Sequence, residues 1–437
     1  MKKVLVISYY FPPSGGAGVH RILKFVKYLP EFGWQPFVLT VNEEADFPAR
    51  DVSLLKEVPE NIEIFRTKIF EPYNLYRKIT GRGKDEPTDI ASLTKEAKKS
   101  LTDKFSEWIR ATFFIPDARC FWKIPAVKQA TKIIKERDIN LIFSTAPPYT
   151  CHLIGKTLKK KTGLPWIADF RDSWVGWLST PKRWFLPHVI DSYFERSVLE
   201  RADKIIAVSN GVKKDLLSRN PHIDLKKWWI IPNGFDEEDF KNVDRKSSGD
   251  KFILTYTGSL YGNRNPRMML KALKELFDDY PSVRNKLKVR FVGRVDPAFL
   301  NDFKKFSDVV EHIPYVPHRE SIRYMLNSSV LLLIIDAAPV NQGILTGKLF
   351  EYIGAQKPIL ALAPEGEAAN LIRKLNIGKV VPPANVTEIK KILFDYFTQW
   401  QNNKLSLKIS RKSIQHLERK SLTKDLVKIF DEIIRIY

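Results

Sequence analysis

The chain has 437 residues, of which 44% are hydrophobic and 28% charged, as expected for an ordinary globular protein of two or three domains. Its net charge of +22 is spread over both halves, which argues against a basic nucleic-acid-binding arm and fits anionic substrates or anionic lipid surfaces. The two cysteines, Cys120 and Cys151, have no metal-binding spacing, and no apolar run is long enough to span a membrane.

The first segment has the pattern strand, glycine loop, helix, strand. Val4 to Phe11 is apolar, ends at Pro12-Pro13 and is short for a signal peptide, so we predict a first strand and a cytoplasmic protein. Gly15 and Gly16 follow that strand, where a missing side chain lets the backbone approach a ligand. Gly16 and Gly18 match the start of a nicotinamide fingerprint, but Arg21 takes its third glycine position. A dinucleotide-dependent oxidoreductase is therefore the weakest alternative.

Residues 70–125 interrupt this rhythm and are predicted as a helical insertion. One helical stripe in it is apolar and flanked by lysines; its members are Leu93, Ala97, Leu101, Phe105, Trp108 and Thr112. A basic amphipathic segment rich in aromatic residues is typical both of membrane-surface helices and of helices packed on a core. Both interpretations stay open at this point.

Charged residues follow the next predicted strand, Trp166 to Phe170. Asp169, Arg171 and Asp172 lie at or beyond its carboxyl end, the edge at which open α/β sheets bind ligands. Two carboxylates and a guanidinium are costly to bury unpaired, so they either pair with one another or face a ligand.

A polar stretch, residues 242–251, is predicted as a linker, because a second series of strands and helices begins at Phe252. Within that series, Thr346 to Pro358 lies between two apolar strands as the helix of a βαβ unit. Thr346 is a candidate helix cap, and Lys348 falls in the first turn, where a cation opposes the helix dipole unless an anion binds there. Glu351 lies on the same face. A phosphate-and-ribose site and a solvated Lys–Glu pair are equally compatible with this segment.

Read together, these segments resemble glycosyltransferase family 4, whose members are retaining enzymes of the GT-B fold. The resemblance spans most of the chain. The residues that show it are Gly15-Gly16, Asp169-Phe170-Arg171-Asp172 with Trp174, Ser209, Ile231-Pro232-Asn233-Gly234-Phe235-Asp236, Tyr256-Thr257-Gly258-Ser259-Leu260 and Gly347-Lys348-Leu349-Phe350-Glu351-Tyr352. The Asp-Phe-Arg-Asp element is similar to a bacterial subgroup that builds O-antigen, capsule and other envelope polysaccharides.

The resemblance implies an α/β protein of two Rossmann-like domains facing a central cleft. The implied parts are an acceptor-binding domain at 1–241 including the insertion, the linker at 242–251, a nucleotide-sugar-binding domain at 252–410, and a C-terminal helix at 411–437 that crosses back to the first domain. Acceptor or cleft residues are expected at Gly15, Gly16, Asp169, Arg171 and Asp172.

For the donor site, the resemblance implies Arg264 and Lys348 as cations on the diphosphate and Glu351 on the ribose, with Gly258 beside them. Two departures from the family pattern stand out. Ser259 occupies the place of an arginine, and Gly343 occupies the place of the first of two glutamates. The sugar contact is therefore expected from the backbone around Gly343 and Ile344.

The function implied is a retaining transfer of a sugar, of the hexosyltransferase type, from a nucleotide-sugar to a lipid-linked or oligosaccharide acceptor. No metal or other cofactor and no nucleic acid are expected, and the inner face of the plasma membrane is a candidate surface for peripheral association. A sugar-nucleotide 2-epimerase of the same fold and a non-catalytic partner subunit remain alternatives.

Overall fold

A computed structural model describes residues 1–47, 49–69, 101–177, 180–241, 243–244, 249–262, 264–338, 342–407 and 409–437. In these residues the chain forms two compact units. Unit 1 runs to Pro232 and includes Arg419–Tyr437, and unit 2 consists of Asn233–Glu418. A search of the described helices for a membrane-spanning segment of sufficient length and hydropathy finds none.

Unit 1 is built on a seven-stranded sheet with the order β3-β2-β1-β4-β5-β6-β7. Its strands are β1 (Lys2–Ile7), β2 (Trp34–Val41), β3 (Glu63–Thr67), β4 (Leu141–Ala146), β5 (Trp166–Phe170), β6 (Lys204–Ala207) and β7 (Trp228–Ile230). All neighbours pair in parallel. The inner strands are continuous apolar runs because helices cover both faces of a parallel sheet.

The helices of unit 1 lie on both faces of this sheet. They are α1 (Ala17–Tyr28), α2 (Leu101–Phe113), α3 (Lys123–Arg137), α4 (Thr150–Thr162), α5 (Phe185–Arg201), α6 (Asn210–Arg219) and the C-terminal helix, Arg419–Ile434. Leu5 and Ile7 of β1 pack in a core with α3, α4 and α5. Val4 and Val6, which point to the opposite face, pack with α1 and the C-terminal helix.

The C-terminal helix belongs to unit 1, as predicted. Its buried apolar positions are Leu422, Leu426, Ile429, Phe430 and Ile433. The Phe430 ring lies edge-on to Trp34, with 5.1 Å between ring centroids, and 5.6 Å from Phe143. The chain therefore returns to complete one face of its first sheet.

Unit 2 is built on a six-stranded parallel sheet with the order β10-β9-β8-β11-β12-β13. Its strands are β8 (Phe252–Thr257), β9 (Leu287–Val292), β10 (Val310–Ile313), β11 (Val330–Ile334), β12 (Ile359–Leu362) and β13 (Gly378–Val381). Its helices are α7 (Arg267–Asp279), α8 (Pro281–Arg284), α9 (Pro297–Lys304), α10 (His318–Leu326), α11 (Gly347–Ala355), α12 (Glu367–Leu375), α13 (Val386–Gln401) and α14 (Arg411–Ile414). The two Rossmann-like units predicted from the sequence are thus both present.

Two predicted segments lie partly outside the described residues. Of the helical insertion predicted at 70–125, residues 70–100 are outside, and of the linker predicted at 242–251, residues 242 and 245–248 are outside. The end of the insertion is described, and there the predicted helix is α2, with Trp108 49% exposed.

Candidate functional site

The carboxyl edge of the unit 2 sheet is shaped by two glycines. Gly258, directly after β8, has φ of +106°, a backbone conformation that favours glycine. Its N–H donates to the carbonyl of Val292 (2.8 Å), and a Cβ on Gly293 would lie 2.5 Å from the Gly258 carbonyl oxygen. A Cβ on Gly258 itself would lie 3.0 Å from the Nζ of Lys348. Because Gly258 has no side chain, the Lys348 side chain can pack directly against the backbone at this edge.

Lys348 lies in the first turn of α11, and its ammonium nitrogen is buried without a hydrogen-bond partner among the described residues. Its Nζ is 3.7 Å from the ring centroid of Tyr256, a cation–π contact. Burial lowers the pKa of Lys348 well below its ordinary value, the charge of Arg264 lowers it further, and the carboxylate of Glu351 acts in the opposite direction. A buried cation without a hydrogen-bonding partner is a place where an anion would bind.

Thr346 occupies the N-cap position of α11, as predicted, but its side chain does not cap the helix. Its hydroxyl oxygen is buried and has no hydrogen-bond partner among the described residues. The expectation of a capping hydroxyl was therefore wrong. Two buried polar groups near the start of one helix, on Thr346 and Lys348, thus have no hydrogen-bond partner within the described residues.

Arg264 lies near this helix, close enough to Lys348 to influence its pKa. Its guanidinium lies over the ring of Tyr261, 5.4 Å from the centroid. Ser259 follows Gly258, and its carbonyl accepts a hydrogen bond from the Tyr256 hydroxyl (3.0 Å). The structure thus brings together Gly258, Arg264 and Lys348, while Ser259 contributes a backbone contact.

Glu351 lies one helical turn after Lys348 and has a histidine partner. Its Oε1 is 3.2 Å from the Nε2 of His318, and the two side chains are 25% and 11% exposed. Gly343 and Ile344 lie in the segment before α11, both partly exposed. That segment approaches the start of α12 closely, since a Cβ on Gly366 would lie 2.2 Å from the carbonyl oxygen of Gln342.

Tyr352 positions α11, a role that sequence reasoning missed. Its hydroxyl accepts a hydrogen bond from the Thr257 N–H (3.0 Å) and donates to the Leu332 carbonyl (3.0 Å). One side chain thereby ties the helix to the end of β8 and to the middle of β11. Tyr256 and His318 were also not assigned roles from the sequence. Tyr352 was part of the motif that shows the family resemblance, but the motif gave no role to its hydroxyl.

In unit 1, Gly15 and Gly16 form the loop between β1 and α1, as predicted. The Gly15 N–H donates to the Ala49 carbonyl (2.9 Å). Gly16 has φ of +92°, and a Cβ built on it would meet no atom within 4 Å. The backbone at the start of α1 is therefore open.

Asp169 is fully buried and bound within the protein. Its carboxylate accepts hydrogen bonds from Nε (3.0 Å) and Nη2 (2.7 Å) of Arg21 and from the Thr145 hydroxyl (2.8 Å). Arg21 also donates to the carbonyls of Ile231 (2.9 Å) and Pro232 (2.8 Å), the last residues of unit 1 before unit 2 begins. The pair therefore links α1 and β5 to the residues at which the chain leaves unit 1.

Arg171 also points inward. Its guanidinium donates to the carbonyl oxygens of Gly18 and Pro147, and its Nε donates to that of Ala146 (3.2 Å). Asp172 is partly exposed. The pKa of Tyr149 is raised chiefly by the burial of Tyr149 itself and next by the charge of Asp172. Of the three charged residues expected near an acceptor, Asp169 is fully buried, and Arg171 and Asp172 are both partly exposed.

Comparison with known proteins agrees with this geometry. Residues 89–239 match the sequence model of Glycosyltransferase Family 4. No protein of curated function matches the chain significantly.

Solved structures are similar over nearly the whole chain. A glycosyltransferase from Rickettsia africae has a TM-score of 0.64 at 15% identity, with 99% of this chain and 98% of that chain covered. Anabaena Alr3699/HepE in complex with UDP has a TM-score of 0.63 at 12% identity, with 99% and 100% covered. WaaG, a glycosyltransferase involved in lipopolysaccharide biosynthesis, has a TM-score of 0.60 at 16% identity, with 98% and 99% covered. The fold is thus GT-B, as predicted, and together with the family match it supports a glycosyltransferase of the family 4 type.

Proposed function

We propose that this protein is a retaining glycosyltransferase that transfers a hexose from a nucleotide-sugar to a saccharide acceptor. The observation that supports this most directly is the Lys348 ammonium beside Gly258 at the carboxyl edge of the unit 2 sheet, which is buried and has no hydrogen-bond partner in the described part of the chain. Open parallel sheets bind their ligands at that edge. A donor diphosphate would supply the acceptor oxygens that the ammonium lacks.

In the proposed reaction the bond between the anomeric carbon and the diphosphate breaks while the acceptor hydroxyl oxygen bonds to that carbon. Negative charge develops on the leaving phosphate, which takes up the proton that the acceptor hydroxyl releases. Lys348 and Arg264 would stabilise that charge, helped by the N-terminus of α11. Glu351, oriented by His318 at 3.2 Å, would accept hydrogen bonds from the ribose hydroxyls. Because protein cations fill the role of neutralising the leaving group, we propose that no metal is needed.

Unit 1 is proposed to bind the acceptor, near Gly16 and Asp172, where the loops after β1 and β5 present open or partly exposed groups. The Asp-Phe-Arg-Asp element resembles a subgroup of bacterial envelope-polysaccharide enzymes, and WaaG acts in lipopolysaccharide biosynthesis. We therefore propose a lipid-linked saccharide as acceptor, in O-antigen, capsule or related assembly. An anionic membrane surface on the cytoplasmic side is the corresponding proposed partner.

The donor is tested first by measuring the thermal stability of the protein with a panel of nucleoside diphosphates and nucleotide-sugars, since a ligand raises stability by RT ln(1 + [L]/Kd). UDP and UDP-glucose head the panel, because Alr3699/HepE was crystallised with both. Stabilisation by one nucleotide class is expected. If no member of the panel shifts the melting temperature, the donor assignment is wrong.

The catalytic assignment is tested with Lys348→Ala and Arg264→Ala, each expected to lower kcat by ~10²-fold or more, as loss of a transition-state donor does. Lys274→Ala on the exposed face of α7 is the matched control and should retain full turnover. Near-normal turnover in both site variants would refute the assignment. Release of a free epimerised sugar without an acceptor would instead favour a 2-epimerase, and donor binding without turnover across an acceptor panel would favour a non-catalytic partner subunit.

A further inference from the structure

The first turns of α5 are inverted relative to an ordinary amphipathic helix. Asp191 and Glu195 point inward and are each 1% exposed. Apolar side chains occupy the outer positions: Trp184, just before the helix, is 47% exposed, Phe185 79%, Val189 46% and Tyr193 56%. An ordinary surface helix buries its apolar stripe and exposes its charges. The outer side of α5 is therefore built for an apolar environment.

Contacts within unit 1 explain the buried acids. Asp191 accepts hydrogen bonds from Trp174 Nε1 (2.9 Å) and Arg183 Nε (2.9 Å). Glu195 accepts from the Val175 N–H (2.9 Å) and from Arg219 (3.0 Å). These bonds fix the loop after β5, but none of them involves the exposed apolar residues. The outward positions therefore need a separate explanation.

The apolar surface continues onto α2. Trp184 Nε1 donates to the hydroxyl of Thr112 (3.0 Å), which joins the two helices. Trp108 and Phe113 of α2 are 49% and 65% exposed, with their ring centroids 6.0 Å apart. We call the combined surface the outer aromatic face; its members are Trp108, Phe113, Trp184, Phe185, Val189 and Tyr193. Contiguous exposed apolar surface of this kind marks an interaction site.

A basic groove lies between α3 and α4, and α4 in turn packs against α5. It has a volume of about 680 Å³ and is lined by Lys123, Lys128, Lys132, Lys135 and Lys161. Among the described residues no carboxylate lines the groove, although Glu136 at its side lies 3.7 Å from Lys132. Lys156 of α4 links the groove to α5, since its Nζ is 5.8 Å from the Tyr193 ring centroid. Burial and the charge of nearby Lys123 both lower the pKa of Lys156.

We propose that the outer aromatic face and the lysine groove dock unit 1 onto an anionic phospholipid bilayer, with the aromatic side chains in the headgroup region and the lysines on lipid phosphates. Tryptophan and tyrosine beside lysines are the residues that favour a membrane interface. A second copy of the chain is disfavoured as occupant, because two lysine grooves and a net charge of +22 would repel. The proposal rests on the proposed function in choosing a membrane, since the proposed acceptor is lipid-linked.

The test is co-sedimentation of the purified protein with vesicles of phosphatidylcholine alone and of equal parts phosphatidylcholine and phosphatidylglycerol. Binding to the mixed vesicles only is expected. Lys128→Glu/Lys135→Glu should weaken it roughly 25-fold or more, at about fivefold for each lysine near an anionic surface. The control Lys271→Glu/Lys274→Glu changes the net charge equally on exposed positions of α7 and should bind more tightly than the groove variant. Equal binding by the two double variants would overturn the groove assignment.

The aromatic face is tested at constant charge with Phe185→Ser, against Leu225→Ser, which removes a side chain 64% exposed elsewhere on unit 1. Only Phe185→Ser should weaken vesicle binding. Brominated lipid should quench part of the tryptophan fluorescence, and Trp184→Phe should remove part of that quenching, a readout that survives if Phe185→Ser fails to fold. Undiminished quenching in Trp184→Phe, or a wild-type dimer that Phe185→Ser makes monomeric, would overturn the proposal. Because no donor or acceptor is present, these results are independent of transferase activity.

Discussion

Arg21 and Asp169 form an ion pair at 2.7 Å in which both side chains are completely buried. The Arg21 guanidinium also donates hydrogen bonds to the carbonyls of Ile231 and Pro232, where the chain leaves unit 1. Removing one partner of such a pair leaves an uncompensated buried charge, at a cost of ~3–5 kcal/mol. We therefore expect Asp169→Asn to destabilise unit 1 by about that amount in urea unfolding.

The control for this prediction is the exposed pair of Arg137 and Glu63, at 2.8 Å, with side chains 38% and 46% exposed. Glu63→Gln should destabilise the protein much less than Asp169→Asn does, because solvent screens an exposed pair. If Asp169→Asn proves as stable as Glu63→Gln but loses turnover, Asp169 contacts substrate instead of bracing the fold.

Lys348 is expected to cost the free protein stability. Its pKa is lowered from 10.5 in the folded state by burial and by Arg264. Below pH 10.5 the Lys348 amine is protonated in the unfolded chain, whereas burial disfavours its protonation in the folded chain. The free energy of unfolding therefore falls as the pH falls from 10.5 towards the lowered pKa of Lys348. Lys348→Met should raise the Tm of the free protein by ~2–4 °C for each kcal/mol regained, more at pH 7 than near pH 10.

Scanning calorimetry at both pH values, with and without nucleotide, checks this prediction. In the wild type, the nucleotide should raise Tm, and its binding should take up a proton on the alkaline side of the lowered pKa. Lys348→Met should show neither effect. A variant that melts below the wild type at pH 7 without nucleotide would show that the ammonium already stabilises the empty site.

Glu351→Gln is expected to weaken nucleotide binding roughly 10- to 100-fold, the range for loss of a hydrogen bond to a charged group. Titration calorimetry with the stabilising nucleotide measures it directly. Glu320→Gln, an exposed glutamate of α10 paired with Arg323, is the matched control and should leave affinity unchanged. Loss of folding with intact nucleotide affinity in the remaining folded fraction would make Glu351 a structural residue.

Tyr352→Phe should reduce both stability and nucleotide affinity. The change leaves the Thr257 N–H and the Leu332 carbonyl without their buried partner, at a cost of ~1–3 kcal/mol. Tyr396→Phe also removes a buried phenol bonded to a carbonyl, that of Ile359 at 3.2 Å, but at the amino end of β12. It should therefore destabilise without changing nucleotide affinity. Equal affinities in the two variants would show that α11 keeps its position without the Tyr352 hydroxyl.

Local patterns predicted much of this protein. The strands of both sheets are apolar runs separated by helical periodicity, and the position of Lys348 at the start of a helix followed from a strand–loop–helix order. The role of Gly258 was implied only by the family resemblance. Contacts between residues far apart in the chain were not predictable in this way. Arg21 and Asp169 are 148 positions apart, and Arg21 was noted only as a mismatch in a glycine fingerprint.

The start of α5 shows why a residue pattern can mislead. This helix begins at Phe185, before its first inward-facing carboxylate at Asp191. Pro187 falls in its first turn, where no N–H is needed for the helical ladder. Apolar periodicity predicts which face of a helix is buried. The first turns of α5 expose their apolar residues and bury their carboxylates, so the periodicity assigns the wrong face to the core.

The return of the C-terminal helix to unit 1 has a consequence for synthesis and turnover of the chain. Unit 2 is contiguous from Asn233 to Glu418, so all its residues leave the ribosome before the helix that covers Val4 and Val6 has been made. During that interval α1 alone covers this part of the sheet, and the apolar surface that the C-terminal helix will bury is a target for chaperones. For the same reason, removal of Arg419–Tyr437 by a protease should open the first-made half of the protein while the second half keeps its fold.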